Sequence, residues 1–217
     1  MCFKAMAKKI ACLLFFLLGG MDLAQAQTVN CLVAFVNGQA LTLTDLQIAQ
    51  EFGLLTWEAE GRIGDPRLAV LDALIDQKVV LEVAREPMAV GKDELSQTLA
   101  AIREKLGPDV FRSKLRSFGL AEDDLRPYLE DRIRFERIVS TRFAMAIPVS
   151  RSDAEKFYRE VYTPEQRAKG LEPDAMESVI PDLETRIREN LRARKVADWI
   201  RNVRNQAEVR INRDCLK

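Results

Sequence analysis

The sequence predicts a mainly α-helical domain with one small β-sheet. Most of the chain after residue 42 has apolar residues recurring every three or four positions, between Gly and Pro breaks, which is typical of helices. Strand-like runs occur near the two ends, at 32–36 and in "AEVRIN" at 207–212. Because a single strand leaves its backbone groups unpaired, the two ends of the chain are expected to meet in this sheet.

The first 26 residues have the pattern of a secretory signal peptide. Lysines at 4, 8 and 9 precede an apolar run from Ile10 to Met21, and Ala24-Gln25-Ala26 supplies small residues before a cleavage point. The run is about a dozen residues, short of the roughly 20 that span a bilayer, so cleavage is favoured over an anchor. We therefore expect an exported protein without direct membrane insertion.

Composition narrows the classes of function. The 33 basic and 33 acidic residues are interspersed, so charge gives no reason to expect nucleic-acid binding. The chain has no histidine, which excludes His-containing triads and most zinc and haem sites, and it has no CxxC, P-loop or GxGxxG motif. Carboxylates such as Glu122–Asp124 alternate with arginines as on solvated helix faces. No catalytic residue, metal site or cofactor is predicted, and the protein is not expected to be an enzyme.

The stretch "VAFVNGQALTLTDL" predicts a hairpin followed by a helix. Asn37-Gly38 favours a type I′ turn, because both residues tolerate positive φ. Thr44-Asp45-Leu46-Gln47 has the form of a capping box, so the first helix is expected from Thr44 to near Gly53.

Four more helices are predicted in the middle of the chain. Asp65-Pro66 is a strong start signal, and the helix that follows should be central and buried because it is apolar around most of its circumference. Its apolar residues are Leu68, Leu71, Leu74, Ile75, Val79, Leu81 and Val83. Further helices are expected over 92–106, from Pro108 to Gly119, and over 121–143.

The last third of the chain combines a predicted linker with a returning helix. Ser150 or Ser152 is expected to cap a short helix, and "VYTPEQRAKGLEPDAMESVIPD" has the composition of a linker. Pro181 is expected to start the last helix, and the alternation at 208–211 predicts the C-terminal strand.

Two cysteines remain after the predicted signal peptide, Cys31 and Cys215. In an oxidising compartment they suggest one disulfide, and two free thiols are the alternative. Pairing of the end strands, parallel or antiparallel, permits this bridge without demanding it. A loop of about 184 residues closed in this way would be stabilised by at most about 5 kcal/mol.

Two apolar stretches lie outside regular helical spacing. They are Phe52, Leu54, Leu55 and Trp57, and Phe143, Met145, Ile147 and Val149. Both can simply fill the core. The functional alternative is a crevice for extended, unfolded polypeptide, and an apolar patch of this kind could also be a homodimer interface.

Taken together, these segments resemble the SurA-type periplasmic chaperones. "VAFVNGQALTLTDL" followed by "LDALIDQKVVLEVAR" resembles the opening of their N-terminal module, and the chain over 90–139 is similar to its helical middle. "VSRSDAEKFYREV" resembles the helix that leads out, and "IRENLRARKVADWIRNVRNQAEVRI" the helix and strand that return. The resemblance implies a helical, trigger-factor-like chaperone module with a small antiparallel sheet.

The resemblance also implies a division of the chain and a function. After the signal peptide at 1–26, a hairpin and helical body cover 27–161, a linker covers 162–180, and the returning helix and strand cover 181–217. SurA proteins carry histidine-containing parvulin domains where this chain has only the linker. The expected function is therefore an ATP-independent holdase for unfolded outer-membrane or secreted proteins, without prolyl isomerase activity.

The expected holdase would bind its clients in a crevice between the helical body and the returning helix. Its predicted client-binding residues are Phe52, Leu55, Trp57, Phe143, Met145 and Ile147. A structural subunit of an envelope complex is the alternative function.

Overall fold

The computed structural model describes residues 30–55, 65–84 and 88–216. The predicted signal peptide and Trp57 lie outside these ranges. From Cys31 onward the described residues form one compact unit, mainly helical with one small sheet, as the sequence predicts. No helix within the described ranges is long and apolar enough to cross a bilayer.

The sheet joins the two ends of this unit. Strands β1 (Leu32–Val36) and β2 (Gln39–Thr42) form the predicted hairpin, with Asn37 at φ 48° and Gly38 at φ 84° in the turn. Strand β3 (Val209–Ile211) pairs antiparallel with β1, giving the order β2-β1-β3. Asn37 strengthens this pairing, because its backbone N–H donates to the carbonyl of Glu208 and its side-chain oxygen accepts from the N–H of Glu208.

Helix α1 (Leu43–Glu51) has a different cap from the one predicted. Thr42 is the N-cap, and its hydroxyl accepts from the N–H of Asp45, whose carboxylate accepts from the N–H of Thr42 in return. The predicted box from Thr44 to Gln47 is therefore wrong by two residues. The reason is strand register, since β2 ends at Thr42 and its extended backbone meets the requirement for an N-cap.

The central helix α2 (Pro66–Val83) is capped by Asp65 and carries proline in its first turn, as predicted. Helix α3 (Lys92–Leu106), helix α4 (Pro108–Phe118), a 3₁₀ turn (Glu122–Leu125) and helix α5 (Arg126–Arg142) follow in order. Gly119 takes the left-handed conformation that ends α4. The predicted helix over 121–143 is thus divided between the 3₁₀ turn and α5.

Helices occupy parts of the predicted linker, and residues 169–175 connect them without regular secondary structure. Helix α6 (Arg151–Phe157), capped by Ser150, continues through a π turn (Tyr158–Tyr162) into α7 (Thr163–Ala168). Helix α8 (Met176–Arg204) begins five residues before Pro181, so the predicted start at this proline is wrong. Leu183 and Ile187 are buried where α8 packs against α6. This packing stabilises a helix that proline would otherwise interrupt.

Buried apolar residues form three clusters around α2 and α5. One lies between the sheet, α1, α2 and the end of α8, and a second between α1, α3, α4 and α5. The third joins α2 and α5 to α8 through Val80, Phe135 and Val196. Helix α2 contributes to the first and third clusters, which confirms its predicted central position.

The end of the chain is fixed to the start of the unit covalently as well as through the sheet. Cys31 and Cys215 form a disulfide, with their Cα atoms 5.9 Å apart. After β3 a 3₁₀ turn (Arg213–Leu216) folds back, which brings Cys215 to Cys31 and buries Leu216. The antiparallel register of β1 and β3, continued by the hydrogen bond from the Asn212 N–H to the Val33 carbonyl, already places Cys31 beside the residues that follow β3.

Candidate functional site

Two adjoining cavities lie along the groove between α2 and α5. The first has a volume of about 360 Å³ and is closed on its other sides by β2, α1 and the residues after α1. Its apolar lining is Ala40, Leu41, Ala49, Leu54, Leu55, Leu74 and Pro127. Its polar lining is Gln39, Asp45, Gln77, Lys78, Asp124, Tyr128 and Asp131.

The second cavity, of about 390 Å³, continues the groove toward the carboxyl end of α2. It is lined by Leu81, Ala84, Met88, Ala89, Asp131, Arg134 and Ile138. Asp131 lines both cavities, and its carboxylate accepts a hydrogen bond of 2.6 Å from the ammonium of Lys78. This ion pair therefore lies where the two cavities adjoin.

Helical spacing explains how α2 serves both cavities. Gln77 and Lys78 each lie three or four residues from both Leu74 and Leu81, so these side chains share one face of the helix. On the facing helix, Arg134 donates to the carbonyl of Met88, which ties the segment after α2 to α5. The width of the groove is thus set by the packing of α2 against α5 in the core.

Tyr128 and Asp45 connect α5 to α1 at the first cavity. The Tyr128 hydroxyl donates to Asp45 Oδ1 at 2.7 Å, while Oδ2 of the same carboxylate caps α1. Burial, together with this hydrogen bond and the charge of Asp45, raises the pKa of Tyr128 well above its ordinary value. The phenol therefore stays protonated near neutral pH and remains a hydrogen-bond donor.

Gln77 is the unusual polar residue of the first cavity. It is 7 % exposed, yet its amide makes no hydrogen bond to any residue in the described ranges. Among the described residues, Arg103 Nε is the one fully buried side-chain nitrogen or oxygen without a partner, so the Gln77 amide faces the cavity rather than the closed core. The cavity wall therefore carries a donor and an acceptor that the fold does not use.

The predicted site residues of the first apolar stretch separate in the structure. Phe52 and Leu54 are 1 % and 2 % exposed in the second core cluster, where the Phe52 ring meets Phe111 edge-on at 5.7 Å. Phe52 therefore fills the core, which was the alternative to a role in client binding. Leu54 and the half-buried Leu55 line the first cavity. Trp57 lies outside the described residues.

The second apolar stretch lies apart from both cavities. The Phe143 ring packs against Trp199 of α8 at 5.7 Å, so this residue is partly core. Met145 is 88 % exposed and Ile147 is half-buried, in the irregular segment between α5 and α6. The structure therefore does not bring together the five predicted client-binding residues that it describes, and client contact at all six stays a prediction.

Client binding in a crevice against the returning helix stays a prediction. The linings of the two cavities come from the hairpin, α1, α2, α5 and the segments between them, and they include no residue of α8. Helix α8 packs against α2 and α5 in the third core cluster, to which it contributes Val196 and Ile200.

Sequence reasoning missed the polar residues of the groove. Gln77 and Lys78 interrupt the apolar run of α2, and that interruption was the available signal. The sequence could not show which side of α2 would face α5. Among the described residues, no group of three or more His, Cys, Asp or Glu side chains is arranged to hold a metal ion.

No protein-family model matches the chain. Among curated proteins it is similar to the foldase protein PrsA of Clostridium botulinum. In the Loch Maree strain the match is 27 % identical over 149 residues, covering 59 % of this chain and 44 % of the relative. In the Langeland strain it is 27 % identical over 129 residues, covering 56 % and 38 %. The chain thus matches less than half the length of these curated relatives.

Among solved structures, the chain is similar to one described with PEB4 and the periplasmic protein Cj1289, two structurally related SurA-like chaperones of Campylobacter jejuni. The sequences are 13 % identical, the TM-score is 0.49, and the match covers 85 % of this chain and 100 % of the other. The names in both comparisons are those of chaperones or foldases.

Proposed function

We propose that this protein is a chaperone that binds unfolded polypeptide in the groove between α2 and α5. The observation that carries the proposal is the pair of adjoining cavities of about 360 and 390 Å³, lined by leucines and by polar groups that include an unbonded amide. Apolar grooves with a few polar groups are suited to binding ligands. The likeness to the PrsA foldases supports the same class of function.

The proposed activity is that of an ATP-independent holdase without prolyl isomerase activity. The sequence contains no histidine, whereas the parvulin domains of SurA-type proteins use histidines. It also has no P-loop that would favour an ATP-driven cycle. Binding and release would then depend on the free energy of the complex alone.

The proposed clients are outer-membrane or secreted proteins in the periplasm. The signal-peptide pattern at 1–26 supports export, and the disulfide between Cys31 and Cys215 is typical of an oxidising compartment. An unfolded outer-membrane protein exposes extended segments with alternating apolar residues, which match a narrow groove lined by leucines.

Suppression of aggregation tests this proposal. A porin unfolded in urea is diluted with and without the purified protein, and light scattering is followed. We expect scattering to fall as the protein approaches equimolar amounts, without ATP. No suppression at any ratio would contradict the chaperone proposal, and turnover of a proline-containing peptide above background would contradict the absence of isomerase activity.

Two matched variants test the position of the site. Leu55→Ser removes a leucine that lines the first cavity, whereas Val110→Ser changes a residue of α4 that is 48 % exposed and lines neither cavity. We expect Leu55→Ser to weaken suppression and Val110→Ser to leave it unchanged. Equal behaviour of the two folded variants would place client binding elsewhere.

A further inference from the structure

The side chain of Gln77 lines the same cavity as a free strand edge. In the order β2-β1-β3, β2 is an edge strand, and the two-residue turn makes Gln39 and Leu41 the residues whose backbone groups face β1. The N–H and C=O of Ala40 therefore point away from β1. No described residue bonds them, and Ala40 and Gln77 both line the first cavity.

These two features match the hydrogen-bonding groups of an extended peptide. A peptide strand presents N–H and C=O groups along its edges, and an edge strand can pair with them directly. A side-chain amide also carries both a donor and an acceptor, so Gln77 can bond a peptide group without regard to its side chain. Leu41, Leu55 and Leu74 then meet the side chains that alternate along the same strand.

The charges of the first cavity favour one kind of peptide. Its lining includes Asp45, Asp124 and Asp131 against the single ammonium of Lys78. Since Lys78 is paired with Asp131, the remaining carboxylates leave the lining acidic. A segment with basic residues beside its apolar ones is therefore favoured over an acidic segment.

We propose that Gln77 and the Ala40 edge of β2 bind the main chain of an extended client segment, which carries alternating apolar residues and basic flanks. The inference rests on the proposed chaperone function and adds the means of recognition. Affinity comes from peptide groups that every client possesses, and the side chains contribute burial. A site of this kind binds many sequences with one arrangement of polar groups.

The test uses a fluorescent peptide of about eight residues, alternating leucine and serine with a lysine at each end. Its affinity for the full protein is measured by anisotropy. Two further peptides carry N-methyl groups on every second amide, one in each register, which removes N–H donors from one edge at a time. A fourth peptide has glutamate in place of lysine.

We expect methylation in one register to raise the dissociation constant about tenfold, as does Gln77→Leu, because each removes hydrogen bonds to the main chain. Gln97→Leu, at an exposed position of α3, is the matched control and should bind like the unchanged protein. The methylated peptides keep the test valid if Gln77→Leu does not fold. The glutamate peptide should bind more weakly than the lysine peptide.

The outcomes separate this inference from the function on which it rests. If the unchanged protein binds the lysine peptide but neither methylation nor Gln77→Leu weakens binding, main-chain recognition is overturned and the chaperone proposal stands. If the glutamate peptide binds as tightly as the lysine peptide, the choice of a basic segment is overturned. If the protein binds no peptide and suppresses no aggregation, both proposals fall.

Discussion

Asp76 and Gln77 are neighbours on α2, and both are polar and buried, at 3 % and 7 % exposure. They lie in two regions that differ in whether the buried polar side chains are hydrogen-bonded. At the junction between α2 and α8, Asp76 and Asp72 accept hydrogen bonds of 2.9 and 2.6 Å from the guanidinium of Arg204. In the groove between α2 and α5, the Gln77 amide bonds no described residue.

The difference separates a region that stabilises the fold from one that is open to a ligand. Burial by itself lowers the pKa of Arg204, but the hydrogen bonds and charges of the two aspartates outweigh it and hold the pKa above its ordinary value. The junction is therefore held by hydrogen-bonded ion pairs between Arg204 and the two aspartates. In the groove, the Gln77 amide instead faces the first cavity without a partner among the described residues, so it is available to a ligand.

The largest effect on stability is expected from the disulfide between Cys31 and Cys215. The double variant Cys31→Ser, Cys215→Ser should lower the free energy of unfolding by up to about 5 kcal/mol, because the bridge closes a loop with a sequence separation of 184. Urea unfolding of the variant and of the oxidised protein measures the difference. Equal midpoints, or no mass gain on reduction of the unchanged protein, would contradict this.

Arg204→Ala should lower the free energy of unfolding by about 3 kcal/mol, because it leaves the buried carboxylate of Asp76 without this partner. Arg201→Ala is the control, since Arg201 and its partner Asp198 are mostly exposed and should contribute less than about 0.5 kcal/mol. Chemical denaturation measures both. Similar small losses in the two variants would remove the distinction between the junction and the surface.

Tyr128→Phe should lower the free energy of unfolding by about 1 kcal/mol at neutral pH, since the hydrogen bond to Asp45 is made by a half-buried phenol. The two elements that it connects close the first cavity, so the variant should also weaken peptide binding. An unchanged unfolding midpoint would show that this hydrogen bond does not hold α5 to α1.

The same tyrosine predicts a loss of stability in alkali. Its pKa is raised in the folded protein, so above the ordinary value of 10.0 the unfolded chain releases the proton while the folded protein keeps it. This contribution is fully present below pH 10 and declines as pH rises further. Denaturation between pH 9 and 11 should show a steeper loss in the unchanged protein than in Tyr128→Phe, and identical slopes would contradict the shift.

Gln77→Leu should change the free energy of unfolding least, by less than about 0.5 kcal/mol, because no described hydrogen bond is lost. Asp76→Leu places the same side chain at the neighbouring position and should cost about 2 kcal/mol, since it removes a charged partner of Arg204. If both variants are destabilised equally, Gln77 has a structural partner and the contrast between the two regions fails.

Local chemistry explains which parts of the fold were predictable. Asn37-Gly38 and Asp65-Pro66 act through their own backbone and nearest neighbours, so their turn and cap follow from the sequence. The cap at Thr42 depended on where β2 ends, and the start of α8 depended on packing against α6. Pairing and packing are tertiary properties, which short sequence patterns do not contain.

The candidate site was less predictable than the fold. Leu55 was predicted from its position outside helical periodicity, and it does line the first cavity. Phe52 belongs to the same stretch but fills the core, because the chain turns inward at the end of α1. Gln77 and Tyr128 carry the polar character of the groove, and their meeting depends on how α2 and α5 pack.

Site-specific crosslinking tests the central claim most directly. A photoreactive residue is placed at Ala40, on the free edge of β2, and in a second protein at Val110, which is exposed on α4 and lines neither cavity. Each is irradiated with an unfolded porin. We predict crosslinks from position 40 that an excess of the lysine-ended peptide abolishes, and few from position 110. Equal crosslinking at both positions, or crosslinks at 110 alone, would contradict the account.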